Sequence, residues 1–469
     1  MLLPNYKEAK TRDKRPYERK LYKLDDKYKN MFKGKKYHLK TYGCQMNEHD
    51  SENIKAILEE LGFIYAEEYT NADLVLLNTC SIRENAHNKA FGMLGRLKHL
   101  KEDNRDLIVG LCGCMAQEEG VVNDLLTKYK FVNFVFGTHN IHNLVELLIE
   151  NINTNIPQYE IYSREKDIYE GLPVKRENKY KAFVNIIYGC DKFCTYCIVP
   201  FTRGAQQSRK KEDILNEVNG LIKDGYKEVT LLGQNVNAYG KDLDDDYTME
   251  NLLEDVAKTG IERIRFVTSH PWDFTDKMIE VMAKYPNICK AIHLPVQSGS
   301  SKVLKLMGRR YTKEEYITLF DKLKKAMPNI AISTDIIVGF PNETEEDFKE
   351  TLELCKYCKF DNAFTFIYSP RENTPAAKLV DNISLEEKEE RLQRLNKLVN
   401  KYFKGKNDNI VGSIQKVLVE GISEKKNNLF GYTESNKLIN FEGDKNLIGK
   451  IIEVEITDAK TWSLDGKIK

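Results

Sequence analysis

The 469-residue chain is short of several things. No apolar run approaches the length that spans a bilayer, and the first residues hold no hydrophobic core of a secretory signal. The expectation is a cytoplasmic monomer with no membrane partner. A large charge imbalance is missing too. The 72 Lys and Arg stand against 71 Asp and Glu, a net charge of +1, so the whole molecule is no polycation. Histidine is scarce: 8 residues, scattered, with no HxxxH pair, which gives little support to a His-held metal. No internal repeat of the solenoid kind is present. What remains is ordinary for a soluble protein, 41% hydrophobic and 30% charged, in a chain long enough for roughly two to four domains. Cysteine is the exception. Ten cysteines in a compartment that keeps thiols reduced point to metal or redox chemistry rather than disulfides.

The pattern divides into segments. Residues 1–36 carry thirteen Lys or Arg and five Asp or Glu, with Tyr6, Tyr17, Tyr22 and Tyr28 interleaved. The stretch 1–35 reads as a flexible basic tail, with an arm that touches RNA phosphate as the alternative. Over 36–153, apolar runs that end in loops (YHLKTYGC, DLVLLNTC, DLIVGLCGC, FVNFVFGT) alternate with helical patterns such as HDSENIKAILEELGF. That alternation predicts an α/β domain on a parallel sheet. Residues 152–178 are polar and weakly periodic, and read as a linker. Within 176–406, six apolar runs are each followed by a helical pattern: AFVNIIYG, EVTLLGQN, RIRFVTSH, AIHLPVQS, AISTDIIVGF and AFTFIYSP. Six units predict an open, partial (β/α)6 barrel, since a closed one needs two more. The charged helix LEEKEERLQRLNKLVNKYF leads out of it. Residues 407–469 hold short strands and turns only, a small all-β barrel similar in size to RNA-binding barrels.

The stretch GCDKFCTYCIVP places Cys190, Cys194 and Cys197 on the loop after the first barrel strand, where parallel α/β enzymes build their sites. A structural zinc ion wants four Cys or His ligands. The next His is His270 and the next Cys is Cys289, so no local fourth ligand exists. A four-iron cluster on three thiolates instead leaves one iron open. An open iron can chelate the amine and carboxylate of S-adenosylmethionine (SAM), and an electron can then release a 5′-deoxyadenosyl radical.

This C-x3-C-x2-C motif resembles the radical SAM superfamily. Three further segments narrow the resemblance: TYGCQMNEHDSE with Cys44, NTCSIRENA with Cys80 and GCMAQ with Cys114. Together with LLGQNVNAYG, RFVTSHPWD, HLPVQSGS and STDIIVGFPNETEEDF they are similar to the methylthiotransferase family of radical SAM enzymes. The resemblance covers about 36–469. The last segment resembles the TRAM module, an RNA-binding barrel. Each of Cys44, Cys80 and Cys114 falls where a strand gives way to a loop, and such loops converge in a parallel sheet. The resemblance implies that they hold a second, auxiliary 4Fe–4S cluster beside the radical SAM cluster.

It also implies the activity: addition of a methylthio group to carbon 2 of N6-isopentenyladenosine next to the tRNA anticodon, with one SAM as methyl donor and one as radical source. Gly233 and Gln234 are expected to meet the methionine amine, Asp335 a ribose hydroxyl, and Arg309 the methionine carboxylate as a forked donor. Arg371 is a candidate for substrate contact. Implied partners are the tRNA anticodon loop, an electron donor such as flavodoxin or ferredoxin, and sulfur and cluster assembly proteins. Residues 404–469 hold eleven Lys and ten Asp or Glu, so a phosphate grip there needs clustering, for example of Lys416, Lys425, Lys426 and Lys437. Cys112, Cys289, Cys355 and Cys358 read as packing. Two rivals stand beside this reading. One is a methylthiotransferase for threonylcarbamoyl-adenosine in tRNA or for a ribosomal-protein aspartate. The other is an iron–sulfur RNA-binding or electron-transfer protein without chemistry of its own.

Overall fold

A computed structural model of the protein describes residues 18–81, 84–161, 167–243, 245–423 and 428–469. They form two compact units. The first comprises the described residues up to Glu177, with Tyr188–Gln207 and Pro370–Ala377. The second comprises Asn178–Ile187, Ser208–Ser369 and Lys378–Lys469.

The first unit is built on a six-stranded sheet, parallel throughout. Across the sheet the strands run Ile64–Tyr65, Lys36–Tyr42, Leu74–Thr79, Ile108–Gly113, Phe134–Phe136 and Gln158–Glu160. The stretch LVLLNT opens with four apolar residues in a row and is buried along its whole length, as a strand covered on both faces must be. On one face lie Ile54, Ile57 and Leu58 of the helix Gln45–Glu60, with Leu144 and Leu148. On the other lie Leu94, Leu97, Val122 and Leu125. The second strand in sequence lies on one side of the first and the third on the other, so the winding reverses between Lys36–Tyr42 and Leu74–Thr79.

Two expectations change here. The sheet extends past residue 153, because Gln158–Glu160, placed in the linker by sequence, pairs with Phe134–Phe136. Residues 1–17 of the expected tail lie outside the described residues, but 18–35 is packed structure. Glu18–Leu21 pairs in parallel with Asp167–Glu170, and Leu24 is buried. Both strands are short and polar, and the pair is about 150 residues apart in sequence, so neither periodicity nor local turn chemistry announces it.

In the second unit all six expected strands form. They make two parallel three-stranded sheets: Arg263–Phe266, Glu228–Leu232 and Lys181–Asn185 in one, Ala291–His293, Ala331–Val338 and Asn362–Ile367 in the other. Among the described residues the first and last strands are not paired, so the barrel is open. Along Ala331–Val338 the even positions Ile332, Ile336 and Val338 enter the core under the helices, while Ser333, Asp335 and Ile337 are half-buried on the other face. The helix Leu385–Asp408 leads to a closed five-stranded barrel, in the order Ile414–Ile422, Leu429–Thr433, Leu438–Phe441, Leu464–Ile468, Ile451–Ala459. Val417, Val419, Ile439, Phe441, Val454 and Leu464 fill it. Two buried arginines dock this module. Arg263 donates to Tyr432 O (2.9 Å) and Lys416 O (2.7 Å), and Arg265 to Glu434 O (2.9 Å) and Thr433 O (2.7 Å). Glu228 accepts from Arg265 Nε at 2.9 Å and supplies the countercharge that a buried guanidinium needs.

Candidate functional site

Cys44, Cys80 and Cys114 stand at the carboxyl ends of three neighbouring strands of the first sheet: Cys44 just beyond Lys36–Tyr42, Cys80 directly after Leu74–Thr79, and Cys114 directly after Ile108–Gly113. The first two flank the winding reversal, where an open α/β sheet forms a crevice. Side chains from the same short motifs brace the loops. Asn47 Nδ2 donates to Asn78 Oδ1 (3.1 Å) and Thr79 O (3.3 Å), and Asn78 Nδ2 donates to Asn47 O (2.8 Å) and Ser51 Oγ (2.9 Å). Thr79 Oγ1 donates to Cys112 O at 2.7 Å. Buried polar groups satisfied on both sides hold their loops rigidly. Gly113 has φ +94°, and a Cβ there would stand 2.4 Å from Thr79 O, so only glycine lets the chain turn into Cys114.

The three thiols share one electrostatic environment. A hydrogen bond from Cys80, the charge of Arg203 and backbone N–H groups at the start of helix Gln45–Glu60 outweigh burial and pull the Cys44 thiol down to about 5. Burial pushes Cys114 up, and the charges of Cys44 and Asp50 add to that against Arg203. Arg203 is itself buried. Its Nε donates to Cys114 Sγ at 3.2 Å and its outer nitrogen to Asp50 Oδ2 at 2.7 Å.

Cys190, Cys194 and Cys197 lie on one loop of the same unit. The Cys197 N–H donates to Cys194 O (3.0 Å), the Cys190 N–H to Gly204 O (3.2 Å), and the Ala376 N–H to Thr195 O (2.8 Å). Gly189 has φ +64°, and a Cβ there would fall 1.9 Å from Ala205 O. Burial pushes the Cys190 thiol far up, and Cys197 and Cys194 add to the effect. Thr138, on the loop after Phe134–Phe136, donates from Oγ1 to Thr202 O at 2.7 Å, fastening this segment to the carboxyl end of the sheet.

Among the described residues no group of three or more His, Cys, Asp or Glu is arranged to hold a metal ion. A four-iron cube makes a different demand, because each thiolate takes its own iron and the sulfurs need not converge on one point. The first unit holds two groups of three cysteines. In one of them a thiol is already biased towards thiolate and a buried cation is in place.

The residues expected to meet SAM belong to the second unit. Gly233 and Gln234 follow Glu228–Leu232, and a Cβ at Gly233 would clash with Ile187 Cγ2 at 2.2 Å. Gln234 Oε1 is buried without a hydrogen-bond partner. So are Asn185 Oδ1, Asn235 Oδ1, Asn237 Oδ1 and Ser269 Oγ, which sequence reasoning missed. They stand at or just beyond the carboxyl ends of three adjacent strands. Such oxygens are costly unless a donor from outside the chain completes them. For Gln234, Asn235, Asn237 and Ser269 the signal in the sequence was polar residues directly after apolar runs, in GQNVN and TSH, whereas Asn185 lies inside the run AFVNIIYG. Asp335 lies on its strand with Oδ2 at 3.2 Å from His293 Nε2. Arg309 is buried, and its Nε donates to Tyr311 Oη (3.0 Å) and its NH2 to Pro295 O (3.0 Å), so two of its donors brace a turn.

Arg371 lies in Pro370–Ala377, where its charge acts on Glu118. Burial raises Glu118 to about 7, against the nearby Ser81 hydroxyl and the Arg371 charge. Cys112 packs with Leu39, Ile54 and Phe136, and Cys355 and Cys358 with Leu354 and Phe360; Cys289 is buried as well. Of the barrel lysines, Lys416 is exposed, Lys437 is half-buried and donates to Asn407 Oδ1, and Lys425 and Lys426 lie outside the described residues.

Comparison with known proteins follows these borders. The radical SAM superfamily matches residues 184–355, the uncharacterized protein family UPF0004 residues 36–137, and the TRAM domain residues 409–469. The solved structure of the radical SAM methyltransferase TsrM from Kitasatospora setae covers 73% of this chain and 77% of its own at 13% identity, with a TM-score of 0.53, and so shares the fold. These matches define a radical SAM enzyme, a class that uses a 4Fe–4S cluster and SAM. Curated relatives carry the name tRNA-2-methylthio-N(6)-dimethylallyladenosine synthase. That of Staphylococcus epidermidis is 55% identical over 99% of this chain and 91% of its own. That of Bacillus subtilis strain 168 is 55% identical over 99% and 92%. The chain belongs to the family of these radical SAM methylthiotransferases.

Proposed function

We propose that the chain adds a methylthio group to carbon 2 of N6-isopentenyladenosine beside the anticodon of tRNA. When bound, the clusters and SAM supply a 5′-deoxyadenosyl radical, a methyl group and a sulfur to carry it. The chain's own residues hold and orient these groups. Cys190, Cys194 and Cys197 take the radical SAM cluster, and Cys44, Cys80 and Cys114 an auxiliary one. The observation that carries the reading is the placement of both triads within one compact unit, the second gathered at the winding reversal of its sheet. A sulfur source must stand beside the substrate carbon when the radical forms, which is a demand of proximity.

Gln234, with Asn185, Asn235, Asn237 and Ser269, receives SAM through oxygens that lack donors. Asp335 is retained for a ribose hydroxyl through the oxygen that does not face His293. The target base has to leave the anticodon-loop stack. Exposed rings in the second unit, Trp462, Phe364 and Phe366, offer faces for unstacked bases, and the C-terminal barrel provides the RNA-binding module. The chain works as a cytoplasmic monomer, and a flavodoxin- or ferredoxin-like donor and cluster assembly proteins serve it. Among the described residues no helix is long and apolar enough to cross a membrane.

Mass spectrometry of tRNA nucleosides from cells lacking the protein tests the reading. The expected result is isopentenyladenosine without its 2-methylthio group, restored by the wild-type gene. Persistence of the methylthio form, with loss of methylthiolated threonylcarbamoyl-adenosine instead, assigns the chain to the other substrate.

A further inference from the structure

We propose that Arg203 is a positioning residue that sets the reduction potential of the auxiliary site and ties that site to the loop of the other triad. The proposal rests on the reading of Cys44, Cys80 and Cys114 as ligands of a cluster. Arg203 lies six residues beyond Cys197, yet its side chain reaches the strand-end group. Its Nε–H donates to Cys114 Sγ at 3.2 Å, and its outer nitrogen donates to Asp50 Oδ2 at 2.7 Å. Only 5% of Arg203 and 6% of Asp50 is exposed. Asp50 sits on the helix that Cys44 begins, so one guanidinium joins three segments: the Cys44 helix, the Cys114 turn and the Cys190–Cys197 loop.

The arrangement is held from both sides. The Arg203 N–H donates to Val199 O (2.9 Å), and Thr138 holds the preceding carbonyl. Asp50 offsets the cost of burying the cation and aims Nε at the sulfur. An N–H bond to a ligand sulfur withdraws charge from the cluster. A buried cation also favours the more negative, reduced state, and does so strongly where the dielectric is low. Both effects raise the potential. A purely structural ion pair would stabilise the fold and leave the potential where it was.

The experiment uses full-length protein in which Cys190, Cys194 and Cys197 are all replaced by Ala, reconstituted anaerobically, so that only the strand-end group can bind a cluster of about four irons. Iron is counted and the midpoint potential is read by EPR-monitored redox titration. In this background Arg203→Gln is expected to keep its iron and to titrate at a lower potential than the parent. Arg203→Lys, which keeps the charge but not the directed Nε bond, is expected to fall between them. Equal potentials in parent and Arg203→Gln, with iron retained, overturn the proposal. Should Arg203→Gln take up no iron, Arg203→Lys decides alone: a potential below the parent supports the directed bond, and an unchanged one overturns it. A parent protein that binds no iron removes the auxiliary cluster itself, and the proposal with it.

Discussion

The two cysteine triads reach similar groupings by opposite routes. Cys190, Cys194 and Cys197 share one loop, pinned by local backbone bonds such as Cys197 N–H to Cys194 O. Cys44, Cys80 and Cys114 span about 70 residues of sequence and meet only because a parallel sheet brings its strand ends together. The chain's own electrostatics differ accordingly. At the loop group, burial and neighbouring thiols push Cys190 up, so metal binding has to supply the stabilisation of its thiolate. At the strand-end group, Cys80, Arg203 and a helix N-terminus pull the Cys44 thiol down towards its thiolate. The lesson is that a contiguous motif can leave charge balance to its metal. A site assembled from distant segments can recruit charged neighbours from each of them.

The sharpest way to break this comparison is to remove one thiol from each triad. Cys194→Ala is expected to abolish 5′-deoxyadenosine release, measured after anaerobic reconstitution with dithionite and SAM. Cys80→Ala is expected to keep much of that release while product falls below detection. Full product from Cys80→Ala would end the assignment of separate roles. A further step is to disturb only the turn before each triad. Gly189→Ala, which sets a methyl 1.9 Å from Ala205 O, should cost about half of the roughly eight irons expected from two cubes. Gly113→Ala should cost the other half, and iron counting with EPR of the remaining cluster reads both. Loss of all iron from either variant would mean that the groups do not load independently.

A finer contrast lies in the thiols of the metal-free protein. Alkylation of Cys44 by iodoacetamide should follow a midpoint near 5 and be complete in its pH dependence well below 7, since the thiolate is the nucleophile. Cys190, held up by burial, should stay slow through neutral pH. Peptide mass spectrometry over pH 4 to 9 separates the two. An ordinary thiol midpoint at Cys44 would show that Cys80 and Arg203 do not bias it.

The same contrast explains what could be read in advance. C-x3-C-x2-C is a spacing, and spacing survives in one dimension. The strand-end cysteines were legible only as residues at the ends of apolar runs, and the sheet order supplied the rest. The strands, helices and barrel followed from periodicity. Gln158–Glu160 did not, being three polar residues whose pairing partner is the previous strand of a sheet. Arg203 and Asp50 carry no local signal, because an arginine six residues after a motif looks like any surface charge until its burial is known. Arg309 shows the same limit from the other side: it looked like an open anion-binding fork, and nothing local announced its burial or its bonds to Tyr311 and Pro295.

The smallest expected effect concerns a buried acid beside the strand-end group. Glu118 follows Cys114 by four positions and meets Ser81, the neighbour of Cys80; burial raises it from 4.5 to about 7. A carboxyl held protonated by the fold binds its proton more tightly folded than unfolded. Its contribution is therefore present at low pH and is lost as pH climbs from the unfolded value through about 7. Glu118→Gln mimics the neutral form and removes that loss. Thermal unfolding midpoints of wild type and variant should thus agree near pH 4.5 and diverge by pH 8, with the variant higher by the equivalent of about 1–3 kcal/mol. A gap that is constant with pH would mean that Glu118 titrates alike in the folded and unfolded chain, with the Arg371 charge cancelling its burial.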